Sequence, residues 1–236
     1  MLGPALRAGL RMYRVLRNAR VEAGLALQRA RTDFKNRRAR TVPNIARRNN
    51  RRAYERIYRE DQLLREYLAP ERIEFYEEVA ELSARKRPRA VIDVGCGAGN
   101  LLRALVERAE PHPERVVGID YASAGIKRAK ELVRSGEFRT ESLYDLDLDE
   151  KFDLVLCTEV LEHVGDPRRA VEVLVSLCAR AGAIVITVPD GAQDTWQGHR
   201  NFWTESELEN FLRPYGEVEV SRMSSDEVSL LAVVRP

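Results

Sequence analysis

Residues 91–99, Val91-Ile92-Asp93-Val94-Gly95-Cys96-Gly97-Ala98-Gly99, are an apolar run of strand type that ends in three glycines at alternate positions. A helical pattern, Asn100-Leu101-Leu102-Arg103-Ala104-Leu105-Val106, follows at once. A strand that turns sharply into a helix presents unpaired backbone N–H groups and a helix N-terminus to whatever lies above it. Glycine lets the backbone turn there and leaves no Cβ in a ligand's way. The pattern is that of a nucleotide-type cofactor loop. The dinucleotide spacing G-x-G-x-x-G is not met, because the third glycine falls one residue early, at Gly99, and Asn100 holds the required position. Asp93 would also repel a pyrophosphate; a carboxylate there suits a cationic or hydroxylated ligand.

From residue 89 onward, strand-like and helix-like segments alternate. The strand candidates are 90–94, 116–120, 137–141, 153–158 and 183–188, with helices expected over 100–110, 122–135 and 166–179. Two more strands, 217–221 and 228–234, flank the turn residues Ser224-Ser225-Asp226. Apolar strands separated by helices imply an α/β fold with a mostly parallel sheet covered on both faces. The terminal hairpin brings the sheet to seven strands, with one antiparallel strand expected at its edge.

The formal net charge of +2 over 236 residues conceals an asymmetry. Residues 1–60 hold 17 Lys/Arg against 4 Asp/Glu, and the remainder holds 22 against 33. In the first part Leu2, Leu6, Leu10, Tyr13 and Leu16 recur at helical spacing, with Arg7, Arg11, Arg14 and Arg17 in a parallel stripe. Pro43-Asn44 interrupts that pattern; helices are expected again over 49–67 and 70–84. The charge division and the onset of alternation at residue 89 together predict a basic helical extension or cap over 1–88 and an α/β domain over 89–236. A cationic amphipathic segment can lie on an anionic membrane surface, touch nucleic acid, or dock on the domain with its arginines solvated. No apolar run is long enough to span a bilayer, and no secretory h-region is evident. Cys96, Cys157 and Cys178 lack metal-site spacing and read as reduced thiols. The expectation is a cytoplasmic protein, peripheral to the membrane if the basic helices bind it.

Further acidic and polar residues fall at the strand ends. Asp120 closes the second strand about 25 positions after the first glycine, where a carboxylate can accept both ribose hydroxyls, and Tyr121 beside it can cover an adenine face. The third strand leads into Ser142-Leu143, and the fourth continues as Thr158-Glu159-Val160-Leu161-Glu162-His163-Val164. Taken together, residues 89 to the end resemble the class I, Rossmann-like S-adenosylmethionine (SAM) methyltransferases. The E-V-L-E-H-V run is like that of the ubiquinone-pathway O-methyltransferases. That resemblance implies SAM as cofactor and Asp93, Gly95, Cys96, Gly97, Gly99, Asp120, Tyr121, Ser142, Leu143 and Thr158 as the residues facing it. One departure is Ser142, which stands where an Asp is common in the family.

Glu159, Glu162 and His163 are spaced i, i+3 and i+4, which places them on one face if the segment forms a helical turn. His199 follows the fifth strand and can face them across the crevice above the sheet. The four suit a divalent ion of the Mg, Mn, Fe or Zn type. Methyltransferases of small-RNA 3′-terminal 2′-hydroxyls resemble this arrangement, with a later histidine followed by Trp-Thr as in His199…Trp203-Thr204. Many metal-free relatives share the run as well. The expected chemistry is O-methylation of a small-molecule, glycan or lipid-linked acceptor, with His199 or His163 as general base. RNA as the acceptor is the alternative, and a non-catalytic SAM-binding membrane or partner module is a third reading. Trp196, Phe202 and Trp203 are expected either to line the acceptor pocket or to pack beneath its loop.

Overall fold

A computed structural model describes residues 50–236 except 197, 226 and 227. The arginine stripe, the Pro43-Asn44 break and the membrane-surface expectation attached to them lie outside the described residues. The elements run α1 (Arg51–Arg59), α2 (Asp61–Tyr67), α3 (Pro70–Ala84), β1 (Ala90–Val94), α4 (Asn100–Arg108), β2 (Arg115–Asp120), α5 (Ser123–Leu132) and β3 (Glu137–Thr140). They continue through β4 (Phe152–Thr158), α6 (Pro167–Leu177), β5 (Cys178–Pro189), α7 (Glu205–Leu212), β6 (Glu217–Arg222) and β7 (Ser229–Arg235).

One seven-stranded sheet has the order β3-β2-β1-β4-β5-β7-β6. Strands β1 to β5 pair in parallel, and β7 is antiparallel to both β5 and β6. Beyond a register shift between Phe152 and Leu154, neighbouring residues of β4 face opposite sides. Leu154 and Leu156 pack with α3, α4 and α5, whereas Phe152, Val155 and Cys157 pack with α6 and α7. A strand buried on both faces needs no polar alternation, which explains the continuous apolar runs in the sequence.

The structure differs from expectation in four places. First, the antiparallel strand lies inside the sheet, between β5 and β6. Leu230, Leu231, Ala232 and Val234 of β7 are all buried, while β6 is mostly exposed, so the more apolar strand takes the two-sided position. Second, the stretch 49–67 is two helices, broken at Glu60, which is extended. Arg128 of α5 donates to the Tyr58 carbonyl and to Asp61, so a contact from across the fold ends the first helix. Third, α7 forms where no helix was expected. Its signal is a capping box: Glu207 accepts from the Thr204 backbone N–H at 2.9 Å, and the Thr204 side chain accepts from the backbone of Glu207. Fourth, residues 159–163 form no helix. Glu159 has a left-handed backbone (φ 55°), and Val160 to His163 make a single turn closed by the His163 N–H donating to the Val160 carbonyl at 2.9 Å.

Helix α3 joins the sheet core through Phe75, Val79 and Ala80. Helix α1 docks on α5, where the Glu55 carboxylate accepts from the Ser123 N–H at 2.7 Å and the Ala124 N–H at 3.0 Å. Both helices fall within the expected extension, yet both pack on the α/β body.

Candidate functional site

The strand order reverses between β1 and β4, and in such sheets the crevice above that point takes the ligand. A cavity of about 250 Å³ opens there. Its floor is the glycine turn after β1, its walls are the ends of β2 and β4 and the segment after β3, and its roof is α1 and α2. Of the residues expected to face a cofactor, Asp93, Gly95, Cys96, Gly97, Asp120, Tyr121, Ser142, Leu143 and Thr158 line this cavity. Gly99 does not; it packs against Ala129 with φ 83° at the start of α4.

Gly95 and Gly97 carry positive φ values of 90° and 53°. A Cβ on Gly97 would stand 2.6 Å from the Tyr58 hydroxyl, so this glycine makes room for a helix of the same chain as well as for a ligand. Asp120 accepts the Gly97 N–H at 3.0 Å and the Ala122 N–H at 2.7 Å. It therefore ties the glycine turn to the start of α5 and still borders the cavity. Burial raises its carboxyl to about 6 against the lowering effect of those two N–H groups. Asp93 is 1% exposed, and its Oδ1 has no hydrogen-bond partner among the described residues. Burial, aided by the charge of Asp120, pushes its carboxyl up to about 8. A buried, orphaned carboxyl at the cavity wall suits a ligand that brings a cationic donor. The Ser142 hydroxyl accepts the Tyr144 N–H at 3.2 Å, so part of its hydrogen-bonding capacity is spent on its own turn.

A second cavity, of about 770 Å³, lies beyond the ends of β4 and β5 and is bordered by Arg72, Glu162, Asp194, Trp196 and His199. His199 is 9% exposed, and its Nδ1 lies 2.6 Å from Asp194 Oδ2, an arrangement that orients an imidazole and leaves Nε2 for chemistry. Asn201 holds the two sides together by donating to the Leu161 and Val164 carbonyls, each at 2.8 Å. As a result the His163 and His199 ring centres are 4.8 Å apart. Burial, followed by the nearby His199 and arginines, lowers the His163 imidazole to about 3, so it is neutral at physiological pH. Trp196, 43% exposed, lies 4.6 Å from the His199 ring at the cavity edge, whereas Phe202 and Trp203 are buried packing residues.

The expected metal set assembles only in part. Donor atoms of Glu162, His163 and His199 lie within 4.8 Å of one another, and both Glu162 oxygens are buried without hydrogen-bond partners among the described residues. Two imidazoles and a carboxylate can hold a divalent cation. Glu159 stands outside this trio, with its carboxylate directed to Thr187 (3.3 Å) and to Arg72 (3.5 Å). Asp194 was not among the sequence candidates, and neither were Tyr54, Tyr58, Tyr67 and Tyr76, four tyrosines at the first cavity. The tyrosines were legible only as apolar positions of helices; the Asp194-x4-His199 spacing was visible but carries no signal until a loop folds it into contact.

A methyltransferase-domain family profile matches residues 63–217. The ubiquinone biosynthesis O-methyltransferase of Stutzerimonas stutzeri (strain A1501) is 33% identical over 121 residues, 49% of each chain. The nodulation protein S of Azorhizobium caulinodans is 29% identical over 124 residues, 50% of this chain and 58% of that one. Aligned segments thus span about half the length of these curated relatives. Among solved structures, the N-methyltransferase NodS of Bradyrhizobium japonicum WM9 with S-adenosyl-L-homocysteine is 25% identical with a TM-score of 0.66. That likeness covers 79% of this chain and 98% of NodS. The DhpI complex with S-adenosyl-L-homocysteine shares the fold at 23% identity and a TM-score of 0.64, over 80% of this chain and 95% of that chain.

Proposed function

Since the chain belongs to the class I SAM-dependent methyltransferases, we propose that it methylates a hydroxyl of a small-molecule, glycan or lipid-linked acceptor, with His199 as general base. The observation that carries this reading is the His199–Asp194 pair at 2.6 Å on the wall of the second cavity. A sulfonium methyl is already electrophilic, so the protein's work is to align the acceptor, exclude water and remove a proton. The glycine turn and Asp93 hold the methionine end of SAM. Asp120 holds the ribose, with Tyr121, Ser142 and Leu143 around the adenine. The acceptor hydroxyl approaches His199 Nε2 from the second cavity. As its oxygen bonds the methyl carbon and the carbon–sulfur bond breaks, its proton passes to His199. The similarity to a ubiquinone biosynthesis O-methyltransferase supports the hydroxyl; the NodS likeness makes an amine acceptor the outcome that competes with it.

The Glu162/His163/His199 trio favours a second reading, in which a divalent cation is held there. Such an ion would lower the acceptor's pKa as a Lewis acid. Glu159 does not complete the set, and Arg72 already places a cation beside it, so we favour the metal-free site.

The test transfers labelled methyl from SAM into a cell extract, fractionated into lipid or glycan, small-molecule and RNA pools, with and without a chelator. Chelator-insensitive label in a non-RNA pool, lost by at least about 100-fold in His199→Ala and Asp194→Asn while SAM still binds, is the expected result. Chelator-sensitive label in RNA would replace the metal-free reading with the metal-dependent one. SAM binding with no transfer to any pool would favour the non-catalytic module.

A further inference from the structure

Asp190 follows β5 directly and opens the segment that carries Asp194, Trp196 and His199 to the second cavity. It is 1% exposed. Its N–H donates to the Val228 carbonyl at 2.7 Å, and the next N–H, of Gly191, donates to the Trp203 carbonyl at 2.7 Å, which closes the segment at its base. The Asp190 carbonyl accepts from the N–H groups of Gln193 at 2.9 Å and Asp194 at 2.8 Å. Its carboxylate accepts from the Ala192 N–H at 3.0 Å, the Gln193 side-chain amide at 3.2 Å and the Arg222 guanidinium at 2.7 Å. Asp194 repeats the turn. One of its oxygens accepts from the Trp196 N–H at 2.9 Å, and the other lies 2.6 Å from His199 Nδ1. A chain of hydrogen bonds thus runs from Arg222, at the end of β6, through Asp190 and Asp194 to the His199 ring.

We propose that Asp190 and Arg222 are positioning residues for methyl transfer: they fix the 190–194 turn and so set Asp194 against the His199 imidazole. The role rests on His199 acting as general base, as proposed above. Neither Asp190 nor Arg222 borders the first or the second cavity, so both act through the turn and not by touching SAM or acceptor. A buried carboxylate holds its place when its charge is matched and its oxygens are hydrogen-bonded. Arg222 is the only charged partner of Asp190 among the described residues. Without it the carboxylate keeps only neutral donors, and the turn has to open toward water. Asp194 moves with the turn, because its own N–H is bonded to the Asp190 carbonyl. The base of the segment is closed by backbone bonds that do not involve Arg222, and the Arg222 side chain is 41% exposed, so the fold survives its replacement.

The test uses the full chain with 15N-labelled histidine and reads two quantities, the His199 Nδ1 proton by NMR and methyl transfer into the extract pools described above. The variants are Arg222→Gln, Arg222→Lys, Asp190→Asn and Asp194→Asn, with His199→Ala assigning the resonance among the three histidines. A proton held between an imidazole and a carboxylate at 2.6 Å resonates far downfield. In Arg222→Gln and Asp190→Asn that resonance should move upfield or vanish, and transfer should fall about 10- to 100-fold with SAM affinity within about threefold of the wild type. Arg222→Lys, which keeps the charge, should recover most of both. An unmoved resonance in Arg222→Gln would overturn the proposal whatever the rate does. Asp194→Asn separates this from the base assignment. Full transfer in that variant would remove the Asp194–His199 base, and the role of Asp190 and Arg222 in transfer with it. Transfer lost there, with a resonance indifferent to Arg222→Gln, would remove the positioning proposal alone.

Discussion

Asp93 and Asp120 end adjacent strands, β1 and β2, and both carboxyls are buried beside the glycine turn. Asp93 rises to about 8 from an ordinary 3.8, through burial and then Asp120. The folded value lies above the unfolded one, so the native protein keeps a proton that the unfolded chain loses between about pH 4 and pH 8. That stabilisation is complete below about pH 4 and drains away as the pH rises through 8. Urea midpoints of the ligand-free protein should therefore fall over this window, and less steeply in Asp93→Asn. A slope unchanged by the substitution would show that Asp93 does not carry it. A cationic amino group beside Asp93 restores ionisation, so SAM binding at pH 7 should release a proton. Calorimetry in two buffers of different ionisation enthalpy reads that release directly, and proton-neutral binding would remove the Asp93–ammonium pairing. The motif placed Asp93 in the sequence; its orphaned oxygen and its coupling to Asp120 came from two strands in parallel register, Asp93 opposite Gly118.

At the scale of elements, α1 is held by a carboxylate that belongs to it but caps another helix. Glu55 accepts two N–H groups and the Ser123 hydroxyl at the start of α5, a service usually given by a residue next in sequence. Glu55→Ala should cost about 1 kcal/mol of stability. It should also weaken SAM binding, because α1 carries Tyr54 and Tyr58 over the cavity. Thermal unfolding and calorimetric SAM titration check the two effects; unchanged affinity would mean that α1 and the SAM site are independent. The strands of the α/β region were legible because a sheet covered on both faces demands apolar runs bounded by turns. Helix α7 is equally legible through Thr204 and Glu207, a cap residue and its partner three positions on, although the expectation above places no helix there. The break at Glu60 was not legible, since it depends on Arg128, nearly 70 residues away.

For the whole molecule, the consequence is that two cavities meet at residues drawn from α1, α2 and the turn after β4. A ligand that fills the first cavity bridges β1, β2, β4 and the roof helices, and so stabilises the fold by mass action. At 100 times its Kd, SAM or S-adenosyl-L-homocysteine should contribute about 2.7 kcal/mol and raise the Tm by roughly 5–10 °C. A shift near zero at saturation would show that the folded and unfolded chains bind the ligand alike. The sequence by itself determined the alternation of strands and helices, the glycine turn and the acidic residues at strand ends, because these follow from periodicity and from backbone geometry that only certain residues accept. The tertiary structure alone decided that β7 lies inside the sheet, that Glu159 turns away from the trio, that Asp194 orients His199, and that tyrosines of the N-terminal helices roof the first cavity. Each of those depends on contacts between segments distant along the chain or on a loop's path, and neither leaves a period or a spacing in the sequence.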